Sequence, residues 1–92
     1  INQRLTHQGL LALSWGRWLE AEKKLVKATP ANALGWLNYL AAARAAHERG
    51  DHEKCEHYLQ KAIKVTKDAE IAVGIAQFQF QYEQQQFEQA LA

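Results

Sequence analysis

Apolar residues recur along this 92-residue chain mostly at spacings of three and four, and that period predicts a succession of helices. Over 2–14, Leu5, Gly9, Ala12 and Leu13 share one face, Leu10 and Leu11 widen it, and Gly16 supplies a turn. A second helix over 18–28 has Trp18, Ala21, Leu25 and Ala28 on one side and Glu20, Glu22, Lys23, Lys24 and Lys27 on the other. Pro30 disfavours helical geometry at Thr29, so the chain breaks there, and Asn32 offers an N-cap for a third helix. That helix, 34–49, is rich in alanine and stops at Gly50-Asp51. Methyl side chains permit close approach but bury little area, so neighbours must pack on it.

Cys55, Tyr58, Leu59, Ala62 and Ile63 form the apolar stripe of a fourth helix over 52–65. A fifth is expected at about 69–84. Its Phe78-Gln79-Phe80-Gln81-Tyr82 alternation would suit a strand, but a lone strand in a helical chain has no partner. The stretch from Phe87 reads as the start of a sixth helix. The fold class is therefore all-α.

An internal repeat organises these helices. Gly16-Arg17-Trp18-Leu19-Glu20-Ala21 is answered 34 residues later by Gly50-Asp51-His52-Glu53-Lys54-Cys55, and once more by Gln85-Gln86-Phe87-Glu88-Gln89-Ala90 after one extra residue. Gly9 and Ala43 stand seven residues before the first two turns, and Ala21, Leu25 and Ala28 match Cys55, Leu59 and Ala62. A 34-residue period of two helices, with small residues at contacts and glycine at the turn, is similar to the tetratricopeptide repeat. That likeness implies antiparallel hairpins stacked in a right-handed superhelix with a concave groove. One domain over 1–92 would then hold hairpins at about 2–29, 33–66 and 69–92, the third truncated.

A closer likeness lies in the wording of the middle stretch. Leu37-Asn38-Tyr39-Leu40-Ala41-Ala42-Ala43-Arg44-Ala45-Ala46 comes after a Gly-Arg-Trp-Leu-Glu-Ala-Glu-Lys hairpin and precedes Ile71-Ala72-Val73-Gly74-Ile75-Ala76-Gln77. Together they resemble the N-terminal repeat region of the HemY family. The resemblance implies a bacterial inner-membrane protein whose repeats face the cytoplasm, tied to protohaem synthesis as a platform for pathway enzymes. A generic repeat adaptor of another envelope or secretion assembly, or direct haem or porphyrin carriage, are the alternatives. In a tetratricopeptide array the first helix of each hairpin lines the groove. The matching positions are Thr6, Leu10 and Leu13, then Leu37, Leu40, Arg44 and His47, then Ala72, Ile75, Gln79 and Tyr82, with Arg44 the chief charge.

Composition narrows the remaining choices. Eleven Lys and Arg against ten Asp and Glu leave a formal charge of +1, so no basic excess points to nucleic acid. The chain opens on Ile1 without any methionine, which suggests a piece of a longer protein, and any contact with a membrane is expected through segments outside it. Lone Cys55 excludes an internal disulfide. Cys55, His7, His47, His52 and His57 have no zinc-site spacing and are expected to be structural or solvated, so neither metal nor cofactor is expected. No nucleophile triad, phosphate loop or paired carboxylate stands out, so the expectation is a non-enzymatic scaffold that grips other proteins. The truncated hairpin leaves the Phe78, Phe80 and Tyr82 flank open, and the chain is expected to self-associate through that flank or a swapped terminal helix.

Overall fold

The computed structural model describes residues 3–32 and 34–91. Asn2, Ala33 and Ala92, which bound the expected elements, lie outside them. The order is α1 (Gln3–Ser14), α2 (Trp18–Lys27), α3 (Gly35–Glu48), α4 (His52–Val65), a single 3₁₀ turn (Lys67–Ala69) and α5 (Glu70–Leu91). Among the described residues there is no strand, and the glutamine–phenylalanine stretch is helical. None of these helices is long and apolar enough to cross a membrane.

The two glycine turns are copies of one device. Gly16 and Gly50 take φ of +75° and +82°, the left-handed region that only glycine enters without strain. In the first, Arg17 N donates to Ala12 O and Gly16 N to Leu13 O; in the second, Asp51 N donates to Ala46 O and Gly50 N to His47 O. Each reversal lays the next helix back on the last, α2 on α1 and α4 on α3, and α2 also packs on α3. Asp51 then caps α4 by accepting from Lys54 N at 3.0 Å.

Burial repeats with the sequence. Ala12, Ala21, Leu25 and Ala28 are buried, and so are their counterparts Ala46, Cys55, Leu59 and Ala62. Gly9 and Ala43 sit at helix contacts as their spacing predicts: a Cβ on Gly9 would stand 2.8 Å from Leu25 Cγ, and Ala43 is fully buried. Asn38 ties three helices, its Nδ2 donating to Leu25 O at 3.0 Å and to Thr6 Oγ1 at 3.3 Å. Asn32 works at the entrance to α3, where its Oδ1 accepts from Leu34 N.

Three expectations are corrected. Leu10 and Leu11 do not widen the core face of α1 but are exposed, as is Trp15, because nothing among the described residues covers that side. Glu22 does not lie on the wet side of α2; it is 3% exposed. Among the described residues no third hairpin forms either. Helix α5 runs unbroken through Gln84-Gln85-Gln86, so the expected sixth helix is its continuation. Gln85 stands where the first two copies have glycine, and glutamine favours helix over a left-handed turn. Phe78 likewise replaces the small residue that would admit a returning helix.

Candidate functional site

Helix α5 leans on the α3–α4 hairpin along a narrow line. Val73 and Phe80 are its buried residues, with Ala76 packed between them. The His47 ring stacks on Phe80 at 4.4 Å between centroids and 17° between planes. Gln77 Nε2 donates to Glu56 Oε1 at 2.7 Å on the α4 side. Because the line of contact is thin, space opens on either side of Phe80. On the α3 side is a cleft of about 560 Å³ lined by Leu37, Leu40, Ala41, Arg44, Ala72, Ile75, Ala76, Gln79 and Phe80. On the α4 side is a hollow of about 500 Å³ whose lining includes His47, His52, Cys55, Gln81 and Gln84.

The α3–α5 cleft brings together Leu37, Leu40, Arg44, Ala72, Ile75 and Gln79, residues assigned to one surface from the repeat register. Thr6 lies in a further hollow of about 640 Å³ between α1 and α3, which shares Leu37 with the cleft. Leu10 and Leu13 line neither: Leu10 faces outward and Leu13 packs against the core. Tyr82 is exposed beyond the cleft, and His47 lines the opposite hollow.

The register did not single out Glu83, which clamps α5 to α3. Arg44 Nη1 donates to both Glu83 oxygens at 3.4 Å, and His47 Nε2 lies 3.1 Å from Glu83 Oε1. Burial alone would raise the Glu83 pKa. The Arg44 charge and the bonds from His47 and Gln79 outweigh it and hold the carboxyl below its ordinary 4.5. Arg44 is therefore no free cation of the cleft. The ligand atoms of His47, Glu48 and Glu83 lie within 4.8 Å of one another, close enough to hold a cation, but the guanidinium already supplies that charge, with Nη2 3.9 Å from Glu48. One signal marked Glu83 in the sequence: at helical spacing it continues the stripe of Val73, Ala76 and Phe80 on α5, where a charge needs a partner.

A carboxyl with a depressed pKa in the folded state stabilises that state above its unfolded pKa, and the contribution disappears as pH falls through the folded value. Amide protection factors along α5 are thus expected to fall as the solution is taken below about pH 4.5. In Glu83→Gln that part of the acid response should be lost, with lower α5 protection already at pH 7. An acid response of α5 identical in the two proteins would contradict the clamp.

Cys55 shows no sign of reactivity. Burial first, and the neighbouring Glu56 charge second, push its thiol up to about 11, so it remains protonated near neutrality and packs as a small apolar residue. His52 and His57 are exposed.

Comparison with known proteins gives a consistent family. The model for the HemY protein N-terminus matches residues 2–50. Protein HemY of Escherichia coli K12 is 32% identical over 79 residues, which cover 86% of this chain and 20% of that protein. The same figures hold for Protein HemY of Escherichia coli O157:H7 and of Shigella flexneri. The chain thus spans a fifth of the length of these curated relatives. No solved structure matches it.

Proposed function

The chain belongs to the HemY family, and on that footing we propose that it is a tetratricopeptide-like module that holds partner proteins of protohaem synthesis, itself performing no catalysis. Two hairpins repeat with the same glycine turn and the same buried positions, which supports this reading. Stacked in that order, such units curve into a right-handed superhelix with an inner, ligand-gripping face. In a protein of the relatives' length the module would face the cytoplasm, held at the bacterial inner membrane by segments outside these 92 residues.

The observation that carries the reading is the α3–α5 cleft. Six residues assigned to the groove by register converge on it, and its apolar lining of Leu37, Leu40 and Ala76, with Ile75 at the rim, suits the apolar side chains of a protein segment.

Leu37 provides the test, since it is half exposed and lines both the cleft and the adjoining hollow. In the membrane-anchored, full-length protein, Leu37→Glu should reduce co-purification of protohaem-pathway enzymes at least about tenfold. Stability should shift by no more than about 0.5 kcal/mol, as for other surface positions. Undiminished capture would remove the cleft from the mechanism. Failure of the unaltered protein to retain any such enzyme would remove the link to haem and favour an adaptor of another envelope or secretion assembly.

A further inference from the structure

Helix α5 carries a second apolar stripe on the side away from α3 and α4. Ile71, Ile75, Phe78 and Tyr82 are 78, 62, 74 and 56% exposed. Their spacing of four, three and four is that of a heptad seam, in which the side chains of one helix fit between those of another. Four large apolar residues aligned over three turns form a continuous patch, unlike the single exposed residues scattered on ordinary surfaces. The adjacent Gly74 has nothing within 4 Å of where a Cβ would stand, so a neighbouring backbone can come close.

The flanks of the stripe say what covers it. In the heptad register they are Ala72, Gly74, Gln79, Gln81, Gln86 and Glu88, with a single charge among them. A partner chosen by charge would meet a charged flank. Amides donate and accept in equal measure, so a flank of glutamines complements itself. We propose that a second copy of this chain docks antiparallel along the Ile71–Tyr82 stripe.

Direction comes from the charges at the two ends. A two-fold axis between Ile75 and Phe78 sets Ile75 against Phe78 of the second copy and Ile71 against its Tyr82. It also carries exposed Lys67, just before α5, toward Glu88 of the other copy, twice by symmetry. A parallel pair would bring neither residue an opposite charge and would align the helix dipoles unfavourably. The seam shares Ile75 with the α3–α5 cleft and its flank shares Ala72 and Gln79, but Phe78 belongs to the seam alone and Leu37 to the cleft alone, so the two readings can fail separately.

Sedimentation equilibrium on the chain between roughly 5 and 300 µM tests the proposal, because mass action must make the mass concentration-dependent. The expected mass rises from 10.5 kDa toward twice that value. Phe78→Glu, which touches neither core nor cleft, should weaken association at least about tenfold with helicity unchanged, since it puts an unpaired carboxylate into an apolar seam. Lys67→Glu should weaken it less, and adding Glu88→Lys should restore it. A monomer at every concentration, or a dimer indifferent to Phe78→Glu, overturns the proposal. Absence of restoration by the charge exchange overturns the antiparallel pairing.

Discussion

Arg49→Ala is expected to cost about 3 kcal/mol, more than removal of its partner Glu22, although Glu22 is the more deeply buried of the two. Arg49 Nε donates to Glu22 Oε2 at 2.6 Å and Nη2 to Oε1 at 3.1 Å, while Tyr58 Oη donates to the same Oε1 at 2.7 Å. The pair joins α2 to the end of α3, and Tyr58 brings in α4. The asymmetry comes from what each deletion leaves behind. Without Arg49, a carboxylate that is 3% exposed keeps one neutral donor. Without Glu22, the guanidinium, already partly in water and 3.4 Å from Asp51, simply turns outward. Glu22→Gln, which still accepts from Tyr58, should therefore cost only about 1–2 kcal/mol. A domain of this size has about 5–10 kcal/mol in total, so Arg49→Ala should lower the thermal midpoint by more than about 10 °C.

The same network has a predicted pH signature. Burial acts to raise the Glu22 pKa, and the hydrogen bonds from Arg49 and Tyr58, with the Arg49 charge, more than reverse it and hold the carboxyl below its ordinary 4.5. In the unaltered protein this stabilisation is present above that value and lost as pH falls through the folded pKa. With Arg49 gone, only the Tyr58 hydrogen bond and the Lys54 charge still oppose burial, and the folded pKa rises. The penalty then exists at neutral pH and is relieved as acid protonates the carboxyl. Urea midpoints of the two proteins should consequently converge toward about pH 4. Adding Glu22→Gln to Arg49→Ala should recover stability at pH 7. A constant gap across pH, or no recovery, would mean that the buried charge is not the source of the cost.

What the sequence disclosed and what it hid divide along physical lines. Both hairpin turns were legible because a left-handed residue needs glycine, and Gly16 and Gly50 stand in matching contexts. The buried faces of α2 and α4 were legible at Ala21, Leu25, Cys55 and Leu59 because apolar residues at helical spacing have few other places to go. Glu22 was hidden by its own chemistry. It shares the stripe of Trp18, Ala21 and Leu25, but a carboxylate reads as solvated unless its partners 27 and 36 residues away are known. Extending the repeat to a third copy failed at Gln85, where the likeness of neighbouring residues concealed the weight of the missing glycine. The cleft was partly legible: register placed Leu37, Leu40, Arg44 and Gln79 on one surface but could not show that Glu83 had already engaged the arginine.

Close approach of α1 to α2 sets the sign of the coupling between Gly9 and Leu25. Leu25 is 1% exposed, and its carbonyl oxygen accepts from both Asn38 Nδ2 and Thr29 Oγ1, so the backbone around it is fixed. Leu25→Ala should cost about 3 kcal/mol through lost transfer energy and a cavity that this fixed backbone cannot close. Gly9→Ala should also destabilise. Its new methyl would meet Leu25 Cγ at 2.8 Å and Cδ2 at 3.0 Å, and the resulting overpacking of about 1–3 kcal/mol exceeds the gain of about 1 kcal/mol in helix propensity. Together the two changes should cost less than the sum of the single effects. With Leu25 shortened, Cγ and Cδ2 are gone and only its backbone N, at 3.3 Å, stays close, so the methyl on Gly9 partly fills the space they leave while keeping the propensity gain. The coupling measured by urea denaturation of the two single variants and the double should therefore favour the double by at least about 1 kcal/mol. Strict additivity would separate Gly9 from Leu25, and with it the reason a glycine stands in the middle of α1.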